Sequence, residues 1–153
     1  MRIPWTALLI PALTAPLFAG ALTLEIVHPD SDMEAVAKHA AVVVRTTACN
    51  SPEKTVMTGT ADGTVNGKRE SIPLQLTPLS KAGEFAVGRA WPAKGTWVIR
   101  VTARNPDYRN YATGVLITVH DNEPDWRSVR RLYRAPTDSD VAAALAGEIA
   151  EKE

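Results

Sequence analysis

The stretch "WPAKGTWVIRVTA" (91–103) decides the fold. Pro92 sets φ at about −65° where the chain enters a turn, and Gly95 supplies a backbone free to adopt positive φ. From Thr96 onward the side chains alternate. Trp97, Ile99, Val101 and Ala103 fall on one face, and Thr96, Val98, Arg100, Thr102 and Arg104 on the other. Period two marks a strand with one buried face, and a large aromatic on that face fills a core between layers. The stretch therefore reads as a structural hairpin and not as an active site.

The same pattern extends in both directions. Upstream, "GEFAVGRAW" (83–91) is a strand in which Arg89 shares parity with Phe85, Val87 and Trp91. Either Gly88 marks a bulge or a charged side chain sits at the rim of the core. Downstream, "NPDYRNY" (105–111) is a loop, and "ATGVLITVH" (112–120) turns Val115, Ile117 and Val119 inward. Toward the N-terminus, "LTLEIVH" (22–28) alternates, "AAVVVRTTAC" (40–49) reads as a central strand, and "TVMTGTADGTV" (55–65) runs into Asn66-Gly67. Asn-Gly is a strong hairpin signal, because both turn positions need positive φ. One return strand, "KRESIPLQLTPL" (68–79), follows, with Ile72, Leu74 and Leu76 on one face. Pro73 makes it an edge strand, since proline cannot donate a ladder hydrogen bond. Seven short strands separated by turns predict an all-β fold, a seven-stranded antiparallel immunoglobulin-like sandwich with a short C-terminal helical tail.

The segment "AGEFAVGRAWPAKGTWVIRV" (82–101) resembles the strand, Pro-Gly turn and Gly-x-Trp strand of YtkA-like and related periplasmic immunoglobulin-like domains. The resemblance implies a small extracytoplasmic binding or accessory domain, and some relatives are associated with metal handling. This chain has no methionine- and histidine-rich copper motif.

The N-terminal "MRIPWTALLIPALTAPLFAGALTLE" (1–25) has an early positive charge, an apolar run and Ala19-Gly20-Ala21, the pattern of a cleavable export signal. The run is short for a membrane span, and Pro11 and Pro16 oppose a continuous helix. The expected organisation is a signal peptide over 1–21, a β-domain over 22–121 and an amphipathic, partly helical tail over 122–153. The mature protein would begin at Leu22 and be periplasmic or secreted, with no transmembrane anchor after cleavage. The single cysteine, Cys49, cannot form an intramolecular disulfide. It reads as a half-buried thiol at a strand end, though a lone exported thiol can also pair between chains. Lysine plus arginine is 17 and aspartate plus glutamate is 17, so no basic excess exists to follow a nucleic-acid backbone.

Function is less legible. No G-x-S-x-G, H-E-x-x-H, C-x-x-C or phosphate-cradling glycine loop occurs, so a non-enzymatic module without a cofactor is expected. An enzyme of unknown class stands as an alternative. With alternating strands, the loops "NSPEKT" (50–55), "TPLSKAG" (77–83) and "NPDYRNY" (105–111) share one end. Asp107, Tyr108, Arg109 and Tyr111 are the candidate contacts there for an unidentified protein partner, since Tyr and Arg are favoured anchors. His28, His39 and His120 fall at the opposite end, and neutral imidazoles suit zinc or copper. They are the candidate ligands of the other alternative, a metal-handling domain.

Ser31 and Glu34 have capping-box spacing, which predicts a short helix after the first strand. In the tail, "EPDWRSVRRLYR" (123–134) places Trp126, Val129 and Tyr133 on one helical face with arginines around it. Thr137 is then an N-cap, and Val141, Leu145 and Ile149 form a stripe. The tail either packs back on its own domain or docks elsewhere through Trp126, Arg130, Arg131 and Tyr133. N-terminal sequencing of exported protein is expected to start at Leu22, and a start at Met1 would overturn the export reading.

Overall fold

The computed structural model describes residues 22–108 and 111–147. Residues 1–21, expected to be an export signal, together with Arg109 and Ile149, lie outside the described residues. In chain order the elements are β1 (Thr23–Val27), α1 (Met33–Ala37), β2 (Val42–Thr47), β3 (Val56–Val65), β4 (Lys68–Pro73), β5 (Leu76–Pro78), β6 (Glu84–Val87), β7 (Thr96–Arg104), β8 (Ala112–His120), β9 (Glu123–Leu132) and α2 (Asp138–Leu145). They form two antiparallel sheets, of four strands in the order β1-β2-β6-β5 and of five in the order β4-β3-β7-β8-β9. No helix among the described residues is long and apolar enough to cross a membrane.

Nine strands replace the seven expected, for two reasons. The expected single return strand 68–79 divides. β4 pairs with β3 through Pro73↔Thr60, and β5 pairs with β6 in the other sheet. Leu74 and Gln75 carry the chain across, and Leu74 N still donates to Gly59 O at 3.0 Å. Pro73 does lie on an edge strand, β4.

The second reason is β9. Residues 123–132 form a strand along β8, not a helix. The pairing jumps from Leu116↔Arg130 to Thr118↔Asp125, so β9 carries extra residues in a bulge. Within it Arg127 N donates to Asp125 Oδ1 at 3.0 Å. Ser128 Oγ accepts from Thr118 N and donates to Asp125 O, each at 2.7 Å. The hydroxyl thus replaces a missing rung of the ladder. The bulge also lets Trp126 and Val129, three residues apart, both pack against the core. A spacing of three in a bulged strand therefore imitates helical periodicity.

One apolar cluster joins both sheets. Leu24, Ile26, Val42, Val44 and Val87 of the smaller sheet meet Met57, Trp97, Ile99, Val101, Val115, Ile117 and Val119 of the larger. Each helix then covers an outer face. Ala35 of α1 packs with Val43 and Ala86, and Val141 and Ala144 of α2 pack with Val98 and Leu116. Helix α1 is capped by Asp32, whose carboxylate accepts from Glu34 N and Ala35 N, rather than by Ser31. Ser31 instead donates its hydroxyl to His28 O at 2.7 Å. Arg89 is exposed just beyond the end of β6, so the core contains no charge there.

Thr137 caps α2 as expected, in a reciprocal capping box with Asp140. Asp140 is buried and accepts two hydrogen bonds from Arg134, at 2.6 and 2.8 Å. Arg134, followed by the Thr137 cap, holds its carboxyl far below the ordinary range against the opposing effect of burial. A carboxyl lowered in the folded state contributes stability above its unfolded value and loses it as pH falls toward the folded value. Asp140→Asn should cost about 1 kcal/mol at neutral pH from the weakened cap. In denaturant titrations, that difference should shrink below about pH 4, where the unfolded chain's carboxyl takes up a proton while the folded one is still ionised.

Candidate functional site

At one end of the molecule, the loop after β7 is tied to the loop after β2 by a buried asparagine. Asn105 is 3% exposed. Its Nδ2 donates to Ser51 O at 2.8 Å and Thr55 Oγ1 at 3.1 Å, and lies 3.4 Å from the half-buried Cys49 Sγ. Its Oδ1 accepts from Asp107 N at 3.0 Å, and its carbonyl accepts from Tyr108 N at 3.0 Å. This is an Asx-type turn, in which the side chain replaces a backbone acceptor and Pro106 presets the following φ.

Asp107 and Tyr108 complete the tie. The Asp107 carboxylate accepts from the Ser51 hydroxyl and from Lys54 Nζ at 2.9 Å. The Ser51 hydrogen bond, then Lys54, holds the Asp107 carboxyl below the usual carboxylate range, and Asp107 raises the Lys54 ammonium in turn. Tyr108 Oη accepts from Asn50 N at 3.2 Å. The third loop joins this end through Thr46 N, which donates to Gly83 O at 2.9 Å. The three loops expected to share an end come together there.

Beside this tie lies a groove of about 520 Å³. Its floor is the outward face of β3 and β7, where the cross-strand pairs are Val56↔Arg104 and Thr58↔Thr102. Pro106, Tyr108 and Tyr111 form its wall. A smaller depression of about 220 Å³ shares Thr58 and Thr102 and reaches Arg100 and Pro136. Of the residues singled out from sequence, Tyr108 and Tyr111 line the groove, Asp107 braces its wall, and Arg109 lies outside the described residues. The floor residues were not singled out. The period-two parity that turns Met57, Val101 and Ala103 inward places Val56, Thr58, Thr102 and Arg104 outward, and only the β3–β7 register sets them side by side.

The tail residues do not form a common face. Trp126 is half-buried against the core, and its ring stacks on His28 with centroids 3.6 Å apart. Arg131 pairs with Glu25 at 3.2 Å, Arg130 is half-buried, and Tyr133 is exposed. The ends of β1 and β8 and the entry to β2 do lie at one end of the molecule, because Val27 pairs with Val43 and Glu25–Arg131 and His28–Trp126 run β1 against β9. Even so, no three His, Cys, Asp or Glu side chains among the described residues gather closely enough to hold a metal ion. His28, His39 and His120 are not brought into one ligand set.

His120, Asp125 and Ser128 line a small pocket of about 240 Å³, a residue combination that invites comparison with a hydrolytic triad. The geometry opposes it. Ser128 Oγ is engaged by Thr118 N and Asp125 O, and His120 Nδ1 lies 3.0 Å from Thr96 Oγ1. A nucleophile needs its base within hydrogen-bond reach, and here each group is occupied by a structural partner.

Asn105→Ala should destabilise the protein by about 2–3 kcal/mol, because Ser51 O, Thr55 Oγ1 and Asp107 N lose a buried partner together. Ser51→Ala should raise the Asp107 carboxyl toward its ordinary value. Chemical denaturation checks the first effect, and carboxyl titration by NMR checks the second.

Compared with protein-family models, curated proteins and solved structures, the chain matches none of them, so its own residues carry the functional argument.

Proposed function

We propose that this chain is an exported, non-enzymatic binding or accessory module of immunoglobulin-like sandwich type, acting in the periplasm or outside the cell. The observation that carries the reading is the groove walled by Tyr108 and Tyr111 over the outward face of β3 and β7. Its volume falls in the range of ligand sites, about 300–1,000 Å³, which are largely apolar with a few placed polar groups. Tyrosine suits such a wall because it offers a large amphipathic surface with few rotatable bonds. Function on two-sheet β-folds commonly resides in loops at one end, positioned by a rigid scaffold. The strand–turn–strand resemblance of 82–101 to YtkA-like domains supports an extracytoplasmic accessory role. The metal-handling alternative gains no support from the placement of the histidines.

A photo-crosslinking residue at position 111, in cells that produce the chain natively, should yield a specific adduct. The same residue at Lys68 on the exposed edge strand β4 should not. Equal yields at both positions, or none at position 111, would remove this end as the binding surface.

A further inference from the structure

We infer that the groove beside Tyr108 and Tyr111 takes a small amphipathic carboxylate, an alkyl or aryl body ending in a carboxylate that Arg104 receives. The inference rests on reading this end as a ligand surface and adds the chemistry of the ligand.

Charge makes the distinction. Among the described residues, no aspartate or glutamate lines the groove or the adjoining depression, and the charged side chains that do are Arg104 and Arg100. Arg100 is already neutralised, by Asp62 at 3.3 Å and Asp138 at 2.8 Å. The nearby Asp107 carboxylate is taken by Ser51 and Lys54. Arg104 is exposed, and its guanidinium makes no ion pair with a described residue. It faces Val56, which is 62% exposed although apolar. A cation that pairs with no described residue thus stands beside an exposed apolar side chain.

A ligand that satisfies both must carry an anion at one end and an apolar body at the other. Guanidinium and carboxylate pair through two parallel hydrogen bonds, which adds direction to the attraction. The Thr58 and Thr102 hydroxyls on the floor can hydrogen-bond a polar substituent along the body. The volume of about 520 Å³ suits a ligand of small-molecule size.

The test uses the full mature chain, with phenylbutyrate and its uncharged analogue phenylbutanol as probes, read by calorimetry and by amide NMR shifts. Phenylbutyrate should bind and shift the resonances of Thr58, Thr102 and Tyr108, and phenylbutanol should bind at least roughly tenfold more weakly. Arg104→Gln should bring the acid down to the level of the alcohol. Arg104→Lys should retain part of the preference, because it keeps the charge but not the paired geometry. If acid and alcohol bind alike, or Arg104→Gln leaves the acid unaffected, the carboxylate assignment is overturned and the groove remains a binding surface. If neither probe shifts a groove resonance, the small-ligand assignment is overturned. The binding-surface reading is then decided separately by the crosslink at position 111.

Discussion

The two sheets are arranged around the indole of Trp97, which keeps only 2% of its surface exposed. It lies opposite Gly63 in the β3–β7 register. A Cβ at residue 63 would stand 2.6 Å from Trp97 Cε3, inside any permitted contact, so only glycine lets the ring rest on β3. A glycine inside a strand costs roughly 0.5–1 kcal/mol relative to alanine. Burying an aromatic side chain removes about 150–250 Å² from water, on the order of 4–6 kcal/mol at about 25 cal/mol/Å². Burial of the indole therefore outweighs the loss at Gly63 several-fold. The ring then sets the level at which the side chains of both sheets meet.

A second glycine solves the complementary problem on the outer face of the larger sheet. A Cβ at Gly114 would collide with Pro136, so the chain leaving β9 passes close to β8 where that strand has no side chain. Pro136 then delivers Thr137 and α2 over Val98 and Leu116. The helix covers only part of the face. Beyond its N-terminal end, the outward residues Val56, Thr58, Thr102 and Arg104 of β3 and β7 are left to the solvent and to the tyrosine wall. The groove is thus what remains of an outer face that one short helix cannot cover.

This geometry explains which parts of the fold could be read from the chain. The Asn66-Gly67 hairpin was legible because the turn requires positive φ at both residues, and both have it, at 50° and 76°. The inward set Trp97, Ile99, Val101 and Ala103 was legible because β7 keeps a strict alternation. Val43 and Leu116 broke the alternation of their strands for a reason that appears only in three dimensions, since each lies under a helix. β9 was misread as a helix because its bulge shifts Trp126 and Val129 to a spacing of three. The β4–β5 division was hidden because Ile72, Leu74 and Leu76 keep one parity while the chain changes sheets, and all three still pack against the same core. Parity records which way a side chain faces, not which neighbour its strand has.

The candidate site shows the same limit at smaller scale. Tyr108 could be singled out by residue type, but Asn105 is what makes it a wall. The Asn105 amide is buried, yet both of its ends are satisfied by loop backbone and side chains. A buried polar group left without partners would cost more than it contributes, so the two loops are held in one arrangement. The floor is equally constrained, because β3 and β7 are continuously paired from Val56↔Arg104 to Gly63↔Trp97. A surface held from beneath by a ladder and from the side by a saturated asparagine would need little backbone ordering to take the proposed ligand, and such ordering is a main cost of association. The β3–β7 register that seats Trp97 opposite Gly63 is also what sets Val56 beside Arg104 on the outward face, where the proposed ligand would meet both.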